Sequence, residues 1–140
     1  MEIPKTNYSE IASKYDEARA DWKLPLDEDL ADLARKRSPV FALDVGCGTG
    51  NYIRAQVAHQ KSLVHWSAAE PSLDMLSFAR DKLPEVSFVE CPAEHLTFST
   101  GEFDYIYSSF SVHHFEDKAC AFDEMTRVLK PDGMIKRVNI

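Results

Sequence analysis

The sequence predicts an α/β domain built on a doubly wound, Rossmann-like parallel sheet with helices on both faces. Two observations carry this. Short apolar runs (residues 40–45, 63–69, 86–89, 103–107 and 134–140) alternate with stretches of helical pattern, the signature of βαβ units. The first run also ends in a glycine cluster, Gly46-Cys47-Gly48-Thr49-Gly50, which is where a doubly wound sheet binds its ligands. Right-handed crossovers leave few other topologies.

The region up to about Ser38 reads as helical. Ser9 to Arg19 holds no Gly or Pro, and Ser9 can cap its start. A second helix follows Pro25, with Leu26, Leu30, Leu33 and Ala34 on one stripe, and Pro39 closes the region. Val40 to Val45 is then a buried strand. Asn51 to His59 forms a helix, and Leu63 to Ala69 a second strand ending at Glu70-Pro71. Ser72 caps a helix with Leu73, Leu76, Ala79 and Leu83 on one side. Residues 86–89 and 103–107 are the third and fourth strands. Asp117 caps a last helix with Ala121, Phe122, Met125, Val128 and Leu129 inward; Pro131-Asp132-Gly133 stops it, and Met134 to Ile140 is the fifth strand. The organisation expected is one compact domain, residues 1–38 forming a helical lid and 39–140 the core.

The chain has 140 residues, enough for one such domain. Lys plus Arg total 16 against 23 Asp plus Glu, so the formal charge is −7. That balance opposes a nucleic-acid partner or an anionic membrane surface. No apolar run has the length of a membrane span, and residues 1–7 hold no apolar signal core. Three cysteines, Cys47, Cys91 and Cys120, fit a reducing compartment better than a disulfide frame, and none are close enough in sequence for a metal site. A cytoplasmic protein is expected.

The glycine turn is specific in what it lacks. A dinucleotide fingerprint places its third glycine one residue later than Gly50, and a phosphate loop needs a Gly-Lys pair that is absent. Asp44 would put a carboxylate near any pyrophosphate, which suits a ligand carrying an ammonium group instead. Glu70, at the second strand end, is placed to accept hydrogen bonds from a ribose diol.

Leu43 to Gly50 resembles motif I of the class I S-adenosylmethionine-dependent methyltransferases, and the details are similar to the type 11 group, which includes relatives of the quinone-biosynthesis C-methyltransferases. Residues 69–76 resemble the second motif, 93–98 the adenine-side motif, 103–115 the fourth, and 127–133 the helix-end signature of that family. Ile11 to Arg19 is similar to its N-terminal lid helix.

The resemblance implies a fold, a cofactor and roles. S-adenosylmethionine is the cofactor and a small molecule the methyl acceptor. Gly46, Cys47 and Gly48 would give backbone contact to the methionine moiety, with Asp44 attracting its ammonium. Glu70 would bind the ribose hydroxyls, Pro71 and Met75 would border the adenine, and the adenine contact would rest on the Ala93 backbone, on Glu94 or on water. Ser108 and Ser109 lie where backbone meets the methionine portion; Arg19 would pair with its carboxylate and Tyr15 close over the donor. His113 and His114 are the base candidates, since histidine titrates in the useful range. Cys47 has no base nearby in sequence to make it a nucleophile.

Two departures from the family stand out. Pro92 occupies the position of an adenine-binding aspartate, and the chain stops at the fifth of seven family strands. They motivate an alternative, a truncated or degenerate cofactor-binding module without catalysis. A nicotinamide-dependent enzyme is a further reading, disfavoured by the early third glycine. The apolar fifth strand, with Lys136 and Arg137 as partial gatekeepers, would be an exposed edge, so either a homodimer through it or a poorly ordered strand is expected.

Overall fold

Five parallel strands lie in the order β3-β2-β1-β4-β5 in the computed structural model, which describes residues 25–60, 63–109 and 115–138. The elements run α1 (Glu28–Lys36), β1 (Val40–Val45), α2 (Asn51–Gln60), β2 (Val64–Ala69), α3 (Leu73–Lys82), β3 (Ser87–Val89), β4 (Phe103–Ser109), α4 (Lys118–Val128) and β5 (Leu129–Val138). The doubly wound parallel sheet is therefore as the alternation predicts. Strand order reverses between β1 and its two neighbours, β2 on one side and β4 on the other. The C-terminal ends of β1, β2 and β4 consequently frame the switch-point cleft.

The sheet has two buried faces. On one, Ala42 of β1, Trp66 and Ala68 of β2 and Tyr105 of β4 pack with Leu30 and Ala34 of α1, Ile53 of α2 and Leu76 of α3. On the other, Leu43 and Val45 of β1 and Ile106 of β4 pack with Ala121, Met125 and Val128 of α4. Leu43, Tyr105, Ile106 and Met125 are fully buried. α1 is thus part of the core's packing, while residues 1–24, with the expected helix over Ser9 to Arg19, lie outside the described residues.

Local signals set the helix ends. Ser72 accepts the N–H of Met75, and Asp117 that of Cys120, as their positions before apolar stripes predict. α1 starts on a cap that the apolar stripe does not show: Asp27 accepts the N–H groups of Asp29 and Leu30.

The fifth strand departs from expectation. α4 ends at Val128, and β5 begins at once with Leu129 opposite Phe103. Pro131-Asp132-Gly133 does not stop the helix; it lies in an irregular stretch before the register resumes at Tyr105 and Met134. Across the same stretch Phe103 lies in the α4-side cluster and Tyr105 in the opposite one. Lys136 and Arg137 are also not simple gatekeepers. Lys136 pairs with Asp27 at 2.9 Å and Asp29 at 3.1 Å, and Arg137 lies over the Phe122 ring. No helix among the described residues is long and apolar enough to cross a membrane.

Candidate functional site

The β1–α2 turn is held from below and from the side. The N–H groups of Gly46 and Cys47 both donate to Ala69 O, at 2.7 and 3.1 Å. The N–H of Gly48 donates to Glu70 Oε1 at 3.0 Å, and that of Gly50 to Cys47 O at 3.0 Å. A phosphate-binding loop must aim such N–H groups at its ligand. Here the N–H groups of Gly46, Cys47, Gly48 and Gly50 are spent within the protein. Gly46, Gly48 and Gly50 all have positive φ, and a Cβ at Gly48 would meet no protein atom within 4 Å. That open space is room for a ligand against the backbone.

Asp44, the fifth residue of β1, is 2% exposed. No hydrogen-bond donor among the described residues reaches its carboxyl. Burial and the nearby Glu70 carboxylate push its pKa well above the ordinary value. A cationic group in the cleft would remove both penalties. Burial, reinforced by Asp44 and Glu70, also pushes the Cys47 thiol well up, so it is no thiolate nucleophile.

Glu70 directly follows β2 and is 9% exposed. Besides Gly48, it accepts the N–H of Ser72 through Oε2 at 2.9 Å. The β3 end is adjacent, since the N–H of Glu70 donates to Val89 O. Met75 is nearly buried in the first turn of α3, and Pro71 is exposed on the turn before it. Ala93 is buried beyond β3, and Glu94 Oε2 accepts the N–H of Glu116 at 3.1 Å, tying this loop to the approach of α4. Ser108 is fully buried and its hydroxyl donates to Val45 O at 3.3 Å, so its side chain joins β4 to the β1 end and its backbone borders the cleft. Ser109 closes β4. Asp44, the glycine turn, Glu70 and Ser108 therefore converge on one end of the sheet. Tyr15, Arg19, His113 and His114 lie outside the described residues.

One cluster beside this cleft escapes sequence reading. The Tyr52 and Tyr105 hydroxyls both donate to Asp27 Oδ2, the first at 2.6 Å, and Lys136 Nζ donates to Oδ1 at 2.9 Å. Gln56 Oε1 accepts the Asp27 N–H at 2.8 Å. Burial alone would raise the Asp27 carboxyl, but the bonds from Lys136, Tyr105, Tyr52 and the Leu30 N–H outweigh it and hold the group below its ordinary pKa. Burial, together with the Asp27 charge, drives both phenols far upward. A buried tyrosine in a strand needs such a partner, which is the only signal the sequence carries. Thr49 Oγ1 and Asn51 Nδ2, on and just after the glycine turn, are buried without a hydrogen-bond partner among the described residues.

Comparison with known proteins agrees with this geometry. A family model described as "Methyltransferase domain" matches residues 43–136. The ubiquinone/menaquinone biosynthesis C-methyltransferase UbiE of Campylobacter jejuni is 28% identical, over 91% of this chain and 59% of its own. The demethylmenaquinone methyltransferase of Chlorobaculum tepidum is 33% identical, over 90% of this chain and 54% of its own. The chain thus spans little more than half the length of these relatives. The crystal structure of a SAM-dependent methyltransferase from Aquifex aeolicus superimposes with a TM-score of 0.77 at 20% identity, over 96% of this chain and 73% of that one, which is a likeness of fold.

Proposed function

Because the chain belongs to the class I methyltransferase family, we propose that it binds S-adenosylmethionine and carries out methyl transfer to a small acceptor. The observation that carries this reading is the chemistry of the β1 end. A buried Asp44 carboxyl, with no hydrogen-bond donor on it among the described residues, stands beside a turn whose Gly46, Cys47, Gly48 and Gly50 N–H groups are already engaged. Such a site repels a pyrophosphate and suits an ammonium group.

The residues present fit the cofactor. Asp44 and the backbone of Gly46 to Gly48 would hold the methionine end, Glu70 the ribose, and Pro71, Met75, Ala93 and Glu94 the adenine. When bound there, the cofactor supplies an electrophilic sulfonium methyl for in-line displacement. The chain's task is then proximity, orientation and exclusion of water. Tyr15 and Arg19 are proposed to complete the donor side. His113 and His114 are proposed to take the proton that an acceptor carbon or heteroatom loses on methylation.

For the acceptor we propose a ring carbon of a demethylated quinone precursor. The support is that the relatives in Campylobacter jejuni and Chlorobaculum tepidum are named for quinone methylation. Calorimetric titration with S-adenosylmethionine, S-adenosylhomocysteine and NAD tests the cofactor, and saturable binding of the first two alone is expected. Binding of NAD alone overturns the reading. Release of S-adenosylhomocysteine with a demethylated quinol tests the acceptor. Binding without turnover on any acceptor would favour the non-catalytic module.

A further inference from the structure

The Glu70 carboxylate joins the two turns that flank the cleft. Oε1 takes the N–H of Gly48, at the tip of the β1–α2 turn, at 3.0 Å. Oε2 takes the N–H of Ser72, on the β2–α3 turn, at 2.9 Å. The base of the glycine turn is pinned separately, by the Gly46 and Cys47 N–H groups on Ala69 O. At its tip the Gly50 N–H closes the turn on Cys47 O and Thr49 is buried, but Gly48 itself has no side chain, a φ of +57°, and open space where a Cβ would stand. Glycine in that conformation is the residue with most freedom to move. The charge-assisted bond to Glu70 is therefore the side-chain restraint on the Gly48 N–H, and it ties the tip to the β2–α3 turn.

We propose that Glu70 is a positioning residue for the glycine turn, setting the shape of the methionine subsite before any ligand arrives. This rests on reading the turn as the cofactor site, and it goes beyond a contact with ribose. An ionised carboxylate has about four acceptor positions. Two of these are taken by the N–H groups of Gly48 and Ser72. The backbone bonds also fix the orientation of the carboxylate, so a diol meets an acceptor already aimed. Loss of Glu70 then has two separable consequences: the ribose loses an acceptor, and the turn loses its tip restraint.

Amide hydrogen exchange on the ligand-free protein, read residue by residue by NMR, separates them. The Gly48 amide is expected to be protected in the parent protein. In Glu70→Gln and Glu70→Ala it should exchange about tenfold faster or more, while Ile106 in β4 keeps its protection and reports an intact fold. The second readout is affinity for S-adenosylhomocysteine lacking both ribose hydroxyls. A Glu70 that acts only through ribose leaves this affinity unchanged in Glu70→Ala, whereas a positioning Glu70 weakens it several-fold. An unprotected Gly48 amide in the parent protein, or unchanged Gly48 exchange in both variants, overturns the proposal. Failure of the parent protein to bind S-adenosylhomocysteine, with Gly48 still responding to Glu70, would remove the cofactor reading and leave the positioning role standing.

Discussion

The Tyr52 ring lies flat on the Tyr107 ring, their centroids 3.4 Å apart and their planes 2° from parallel. Tyr52 stands in the first turn of α2, just after the glycine turn, and Tyr107 is the register partner of Asp44. The stack therefore braces the start of α2 against β4 beside the cleft. Its far end is fixed by the Tyr52 hydroxyl on Asp27, which also receives Tyr105 and Lys136.

Asp27→Asn is expected to cost about 2 kcal/mol of stability, because a half-buried cation and two buried phenols lose a charged acceptor. Tyr52→Phe, which removes one bond and keeps the ring, should cost about 1 kcal/mol. The pH dependence has a definite sign. The Asp27 pKa is lowered by folding, so its contribution is present above the unfolded value near 3.8 and is lost as pH falls through the folded value. Urea melts at neutral and acid pH check this: the acid loss should be shallower in Asp27→Asn, and an unchanged acid limb would show that Asp27 is not a stabilising anion.

Much of this fold is legible because its signals are local. The glycine turn, Ser72 and Asp117 each act on neighbours within a few residues, and sequence places them correctly. Asp27 does not act locally. Its partners Tyr52, Tyr105 and Lys136 stand 25, 78 and 109 residues away. Nothing in a helix pattern after Pro25 announces such partners. The β5 start fails for a different reason. Pro131-Asp132-Gly133 carries turn chemistry, but a strand pairing at Leu129 and Phe103 precedes it and overrides the local signal. At the site, the residue types at the strand ends reveal which side chains converge there. That Glu70 spends two acceptor positions on backbone N–H groups depends on the approach of the two turns, which only the fold fixes.

Arg127 should matter to the adenine side without touching a ligand. Its guanidinium donates to Leu96 O at 2.8 Å, Phe98 O at 3.0 Å and Glu124 Oε2 at 2.6 Å, while Glu124 Oε1 accepts the Leu96 N–H. One planar fork thus clamps the loop that follows Ala93 and Glu94. Arg127→Lys cannot reproduce that geometry. The variant is expected to lose about 1–2 kcal/mol in a urea melt and to exchange the Leu96 amide faster. Equal stability and exchange in the lysine variant would show that charge alone suffices.

Asp44 should trade stability for binding. Its folded pKa is raised by burial and by Glu70, so in the ligand-free protein stability falls as pH climbs from the ordinary carboxylate value toward the folded one. Asp44→Asn removes that cost and should raise the urea midpoint at neutral pH. The same change should weaken S-adenosylhomocysteine binding by about 1.5–3 kcal/mol, because the ammonium loses a charged partner. Ionising Asp44 against that ammonium also expels a proton where the group was protonated. Calorimetry in buffers of different ionisation heat should detect proton release in the parent protein and less in the variant. A variant that is both less stable and equally tight would refute the assignment.

Gly48→Val separates the ligand's need for space from the protein's. The φ of +57° is left-handed, a region that a β-branched residue adopts at a cost of roughly 1–2 kcal/mol. A Cβ there meets no protein atom within 4 Å, so the first added carbon has no packed neighbour to displace. The fold should therefore survive, at a cost set by backbone strain alone. The branched side chain would project into the space proposed for the methionine end of the cofactor, and S-adenosylhomocysteine binding should be lost. Gly48→Ala, with the same backbone strain but less bulk, should retain part of the affinity. Circular dichroism and calorimetric titration on both variants decide the matter. Native spectra with undiminished binding in Gly48→Val would show that the cofactor does not approach the turn at its tip.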